Sequence, residues 1–283
     1  MILVAGGTGR LGTLVVSGLV ARGLDVRVLT RDPARATHLP GTGVEIVRGD
    51  VRDRSSIEPA MRGVATAVSA VHGFAGPGRV TPASVDRDGN ANFVDAAAAA
   101  GADVVMMSVV GAAADNPMEL FRAKHDAEAH LRASRTQWTI VRASAFIELW
   151  AEIMAKAPVF GRGDNPINFV SVGDVAAVVE RAVVDRRLRG QTLEVGGPQS
   201  LTLNELAAFV HEVRGDRGKI RHVPRPVLRA MAPVARRARA AVTMDTMNMT
   251  FDAMAARAAF ADLPMTDLRA ALARTAGEPQ GCP

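Results

Sequence analysis

The first five residues, Met1-Ile2-Leu3-Val4-Ala5, form an apolar run of strand length that leads straight into Gly6-Gly7-Thr8-Gly9-Arg10-Leu11-Gly12. A helix-length stretch, Leu11 to Arg22, follows. No other local pattern in the chain restricts the fold as much. A buried strand, a glycine turn and a helix start gather free backbone N–H groups and the positive end of a helix dipole at one point. That point suits a phosphate. Glycines are needed because a Cβ would hold the phosphates off the backbone. The spacing reads as G-x-G-x-x-G (7, 9, 12) or G-x-x-G-x-x-G (6, 9, 12), in the strand-to-helix context that gives the motif meaning. The competing reading is a tight turn with no ligand.

Downstream, short apolar runs alternate with longer amphipathic segments. Val26–Leu29, Val44–Val47, Ala65–Val71, Asp103–Val110 and Thr139–Val141 read as strands, with Asn90–Ala100 and Met118–Ser134 as helices between them. Continuous Val/Ile strands separated by helices predict an α/β fold with a doubly wound parallel sheet. We place this Rossmann domain at residues 1–155. Residues 156–274 add a strand at Asn168–Val172, a helix with Asp174 as its N-cap, a strand at Thr192–Val195, and a helix at Thr202–Arg214 opened by a Thr202/Glu205 capping box. They read as a smaller C-terminal α/β substrate-side cap woven onto the first domain, and 275–283 as a flexible tail.

Composition removes several functions. The net charge of +5 is spread over 283 residues and gives no footprint for nucleic acid. No apolar run approaches the roughly 18 residues of a membrane span. The single cysteine, Cys282, and the absence of a basic leader before an apolar stretch point to the cytoplasm. None of the six histidines has metal-ligand spacing, so no metal is expected. There is no tyrosine, which excludes any mechanism built on a tyrosine acid or base.

The residues after the second strand bear on the choice of dinucleotide. An acid there would hold the ribose 2′-OH of NAD, whereas an arginine accepts a 2′-phosphate. The run is Thr30-Arg31-Asp32, so Arg31, with Arg10 from the glycine loop, favours NADP(H) over NAD(H). A one-residue slip would bring Asp32 to the ribose instead, and Arg10 also reads as a solvated surface residue. Asp50 after the third strand is placed to receive the adenine amino group, with Val51 against the ring; an ordinary Asp turn is the alternative. Ala70 and Val71 end the fourth strand beside the expected nicotinamide ribose, and Gly73–Gly78 form a loop that covers the cofactor.

The order of these pieces resembles the short-chain dehydrogenase/reductase superfamily. The resemblance is strongest to its atypical NmrA-like and isoflavone-reductase-like branch, which includes NADPH quinone reductases. It is carried by Gly6–Gly12, Arg31, Gly49-Asp50-Val51, Asp86–Asn92, Ser108, Lys124, Val141–Phe146 and Val172–Ala176. Where classical members have the tyrosine of a Tyr-x-x-x-Lys pair, this chain has Leu120; atypical members share that absence. Ala143 stands where the family often has proline. The resemblance implies that Lys124 holds the nicotinamide ribose; the ordinary alternative is an i,i+4 pair with Glu128 on a wet helix face. Ser108 and His72 are candidates to bind or protonate an acceptor oxygen, against plain roles as a strand-end serine and a loop histidine. Phe146, Ile147, Leu149, Trp150 and Met154 line a pocket or fill a core. Arg221, Arg225, Arg229, Arg236, Arg237 and Arg239 form a basic stretch that meets an anionic substrate, membrane or partner, or is simply solvated.

The expected function is an NADPH-dependent oxidoreductase passing hydride to a small apolar carbonyl, quinone or enone. The second reading is a non-catalytic NADP(H)-binding redox sensor that controls a partner protein. The partners expected are a small-molecule substrate and a protein partner or second copy, with neither nucleic acid nor a membrane span.

Overall fold

The computed structural model describes residues 1–74, 80–216, 218–257 and 261–277. In chain order its elements are β1 (Ile2–Ala5), α1 (Arg10–Ala21), β2 (Val26–Thr30), β3 (Val44–Arg48), α2 (Arg54–Ile57), β4 (Thr66–Ser69), α3 (Asp88–Ala100), β5 (Asp103–Val109), α4 (Glu119–Ala133) and β6 (Trp138–Ala143). There follow β7 (Ala145–Phe146), α5 (Ile147–Lys156), β8 (Val159–Phe160), β9 (Ile167–Val170), α6 (Val172–Val184), β10 (Gln191–Val195), β11 (Gln199–Leu201) and α7 (Leu203–Arg214). The last elements are β12 (His222–Val223), α8 (Arg225–Met231), α9 (Arg236–Met244), α10 (Ala253–Arg257) and α11 (Leu268–Gly277).

Two units share the chain in turns. One is Met1–Arg142 with Val175–Glu194; the other is Ala143–Asp174 with the chain from Val195 onward. The sequence expectation was a single boundary at 155/156. The observed breaks differ because the helix and strand within 175–194 complete the first unit's sheet.

The first unit is built on a seven-stranded sheet of order β10-β6-β5-β4-β1-β2-β3. The pairs β3–β2, β2–β1, β1–β4 and β4–β5 are parallel. Chain order reverses between β1 and β4, which opens a crevice at their carboxyl ends where such sheets bind ligands. The strands are short Val/Ile/Leu runs because they are covered; Leu3, Ile57, Met61, Phe93, Met106, Leu131 and Ile140 form one fully buried cluster. Only β3, at the sheet edge, is largely exposed. Helix α1 buries Leu11, Val15, Val16 and Leu19. Gly18 leaves room for the carboxylate of Glu180 from α6, whose nearest oxygen lies 2.0 Å from where a Cβ would stand and which pairs with Arg22.

The second unit contains a sheet of order β11-β9-β7, with β11 antiparallel and β7 parallel to β9, and a parallel β12-β8 pair. The Thr202/Glu205 capping box is formed at α7. Asp174 departs from expectation. Helix α6 starts at Val172, so Asp174 lies in the first turn, and its carboxylate accepts instead from the Thr266 amide and hydroxyl at 2.6 and 2.7 Å. Ile147 and Met154 are buried, Trp150 packs on Phe160, and Leu149 is exposed. Helix α11 runs through Gly277; Cys282 lies outside the described residues.

Phe93 is the largest side chain sealed under α3. Phe93→Ala should cost about 3–5 kcal/mol of stability, read as a lowered urea midpoint at unchanged slope.

Candidate functional site

The glycines of the first turn serve different ends. Gly6 has φ +83°, and a Cβ there would lie 2.6 Å from the Ala70 carbonyl oxygen, so it is required by its backbone and by the approach of β4. A Cβ on Gly12 would lie 2.1 Å from the Gly6 carbonyl oxygen, so Gly12 is required for α1 to sit against the end of β1. Gly9 is different. Its φ is −87°, it is exposed, and a Cβ there would meet only the Gly6 oxygen, at 3.3 Å. The backbone at Gly9 is unstrained, and its one close contact would be relieved by a shift of a few tenths of an ångström, far less than Gly6 or Gly12 would need. Gly9 is also the N-cap of α1, where no side chain caps the helix. The outer face of the turn thus combines a bare backbone with an uncapped positive helix end, the surface a pyrophosphate needs. Thr8 is half-buried, Arg10 exposed and Leu11 buried.

Beyond β2 the two competing residues separate. The Asp32 carboxylate accepts the Ala34 amide at 3.1 Å as the N-cap of a 3₁₀ turn over Pro33–Ala36, while Arg31 is exposed. Arg31 lies near enough to Asp50 to help hold its carboxyl low. The larger cause is the Arg52 guanidinium, which binds Asp50 with contacts of 2.6–3.1 Å against the opposing effect of burial. The Asp50 carboxylate is therefore already engaged with a cation. Val51 is buried against Gly89, and its carbonyl accepts from Asn92.

A buried polar network spans the carboxyl ends of β4 and β5. Lys124, 4% exposed, donates to the carbonyls of Val71 and Met107, both at 3.0 Å. It faces Asp86 Oδ1 at 3.0 Å as an ion pair, off the hydrogen-bonding direction, which leaves that oxygen without an aligned donor. The other Asp86 oxygen accepts the Gly73 amide at 2.7 Å. Asn90 donates to the Asp86 carbonyl and accepts from Ser69 at 2.6 Å. The pairing of Lys124 with Glu128 on a wet face, one of the two sequence readings, does not occur: Lys124 is turned into the sheet, where Asp86 answers its charge.

Glu128 instead anchors a second cluster. It accepts from Ser108 at 2.5 Å, from Arg142 at 2.7 and 2.9 Å and from Arg132 at 3.0 Å. Burial alone would push its carboxyl up; the hydrogen bonds from Arg142 and Ser108, with both arginine charges, outweigh that and hold it below its ordinary value. Because an ionised carboxylate only accepts, the Ser108 hydroxyl proton is committed to Glu128.

His72 follows β4 and is exposed at its edge. Desolvation by the surrounding protein lowers its pKa, opposed by Asp86 and aided by Lys124. Residues 75–79 of the expected covering loop lie outside the described residues. The sequence reading gave Asp86, Asn90, Glu128 and Arg142 no role in the site. For Asp86 and Asn90 a signal existed, since they are four apart and one helical turn brings them together.

Two outcomes follow. Gly12→Ala should lower the melting temperature markedly, whereas Gly9→Ala should lower it much less and weaken NAD(P)H binding. Glu128 lies below its ordinary 4.5, so its contribution to stability is present above that pH and is lost as pH falls through the lower folded value. Glu128→Gln takes the buried carboxylate from Arg142, which keeps Glu194, and from the partly exposed Arg132, and should cost about 1.5–3 kcal/mol at pH 7. The gap to wild type should close as the pH is lowered below 4.5, in urea titrations across that range.

The chain as a whole is similar to known proteins. A Streptomyces griseus (4-alkanoyl-5-oxo-2,5-dihydrofuran-3-yl)methyl phosphate reductase is 34% identical over 221 residues, covering 76% of this chain and 74% of that protein. A Xenophilus azovorans NAD(P)H azoreductase is 30% identical over 222 residues, again covering 76% and 74%. Among solved structures, an Escherichia coli NADPH-dependent quinone oxidoreductase complexed with NADPH shares the fold with a TM-score of 0.78 and 22% identity, over 97% of this chain and 99% of that one. The model of the NAD(P)H-binding family matches residues 6–186. The chain belongs to that family, in its NmrA-like branch of atypical short-chain dehydrogenases/reductases.

Proposed function

We propose that this protein is an NADPH-dependent reductase of a small, apolar conjugated acceptor, a quinone or enone before a simple carbonyl, working without a tyrosine acid. The observation that carries the reading is the outer face of the glycine turn, where Gly9 is exposed and bare at an uncapped helix start. The reductases among its relatives support the same class of chemistry.

Gly6–Gly12 and the N-terminus of α1 would hold the pyrophosphate. Arg31 and Arg10 would hold the 2′-phosphate, which favours NADPH over NADH. Asp32 is spent as a cap and Asp50 is bound to Arg52, so neither is set to select the 2′-hydroxyl of NADH. Asp50 and Val51 would border the adenine; Ala70, Val71 and Lys124 would border the nicotinamide ribose. When bound, the reduced nicotinamide supplies a hydride.

The proton inventory narrows the acceptor. The Ser108 proton goes to Glu128, and Lys124 gives two protons to strand carbonyls. His72 is open to solvent and, with its pKa lowered, is largely neutral at pH 7. An acceptor that delocalises negative charge needs no acid in the same step, and its proton arrives from water or through His72. The same thin inventory favours the sensor reading next.

Titration with NADPH and NADH, followed by calorimetry, tests the cofactor. NADPH should bind more tightly, and Arg31→Ala should weaken it about tenfold or more while leaving NADH unchanged. NADPH oxidation should then proceed with quinones and enones and be slow with unconjugated ketones. Tight NADPH binding with no acceptor turned over would replace the enzyme by the sensor.

A further inference from the structure

The second unit carries a surface unlike the rest of the chain. From Arg217 to Met244 there are eight Lys and Arg residues and no Asp or Glu. That segment holds +8 of a net charge of +5, which leaves −3 on everything else. Within it, α8 buries one side: Leu228 packs with Ala238 and Ala241 of α9. The opposite side is apolar and open. Val227 is 46%, Met231 47% and Val234 90% exposed. These residues are spaced i, i+4, i+7, with exposed Ala230 between them, so they follow one stripe along α8 and onto the turn before α9. Arg229 and Arg239 are exposed beside the stripe. Arg225, by contrast, is taken inward by Asp245. Arg239 reaches back to the carbonyls of Ala232 and Pro233 at 3.3 and 3.5 Å, which braces the turn that presents Val234.

An isolated exposed valine needs no explanation, but an apolar stripe set in a purely cationic segment does. We infer that the α8–α9 hairpin docks this protein on an anionic lipid surface, with Val227, Met231 and Val234 entering the headgroup boundary and the flanking arginines meeting lipid phosphates. Charge complementarity selects the occupant. A second copy would set two such cationic segments against each other. An acidic protein would satisfy the arginines but would meet a stripe whose most exposed residue projects from a turn rather than lining a groove. A bilayer supplies both a dispersed negative charge and an apolar layer beneath it. The inference is independent of the reductase reading.

Flotation of the full-length protein with vesicles tests it. Binding should be at least about tenfold greater to phosphatidylcholine vesicles containing about 30% phosphatidylglycerol than to phosphatidylcholine alone, and should fall as salt is raised. Arg229→Gln should weaken binding about fivefold, at roughly a tenfold loss per 1.4 kcal/mol and about 1 kcal/mol per charge. Met231→Asp/Val234→Asp should release the protein while NADPH titration and circular dichroism stay as in wild type. No binding to anionic vesicles overturns the inference. So does binding that survives Met231→Asp/Val234→Asp, which would make the surface a plain polyanion site. A concentration-dependent dimer that the same variant dissolves, without vesicle binding, would give the surface to a second copy.

Discussion

The Gly12 backbone rests against the Gly6 carbonyl with space for a hydrogen and none for a methyl group. This contact sets how close α1 begins to the end of β1, and so where the positive end of the helix lies. Gly6 repeats the constraint on the other side, its α-carbon held against the Ala70 backbone as β4 leaves the sheet. The turn is therefore fixed by backbone packing from within. Gly9 is the least constrained of the three from within, since a Cβ there would meet the Gly6 oxygen at 3.3 Å against 2.6 Å at Gly6 and 2.1 Å at Gly12.

The strand ends beside that turn are tied together by buried charge. An ammonium and a carboxylate removed from water cost several kcal/mol each, and their attraction offsets this only when further hydrogen bonds share the charge. Lys124 meets that condition through two strand carbonyls and Asp86 through the Gly73 amide. Val71 follows β4, Met107 lies in β5 and Gly73 begins the next loop, so one ion pair ties together three segments bordering the switch point. Glu128, one turn along α4 from Lys124, does the same for β5 and β6 by way of Ser108 and Arg142. Helix α4 thus contributes a cation and an anion, each satisfied by the sheet and not by the other.

That arrangement shows what a sequence of this kind discloses. The strands, their order of appearance and the glycine turn were legible because apolar runs and glycine spacing are local. The Thr202/Glu205 box was legible for the same reason. Lys124 and Glu128 were not, because an i,i+4 Lys/Glu spacing is the same whether the two side chains face water or face a sheet. Only Asp86 and Arg142, distant in sequence, decide between those outcomes. Asp174 was misread in a similar way: its distant partner Thr266 outcompeted the local cap. The interleaving of the two units at 142, 174 and 194 was hidden because a strand's sequence does not say which sheet it joins.

Arg31 and Asp32 show how a local rule can settle a question that the sequence leaves balanced. Both follow β2, and a shift of one residue would exchange them at the ribose. Pro33 breaks the symmetry. It starts a 3₁₀ turn with a fixed φ, and such a turn needs an acceptor for its leading amide. Asp32 is the residue in position to give one, and its carboxylate does so at Ala34. Arg31 and Asp32 both face solvent there, and the cap turns one Asp32 oxygen back onto the 33–36 turn. In the NADPH reading proposed above, Pro33 would favour Arg31 at the ribose by turning Asp32 toward its own backbone.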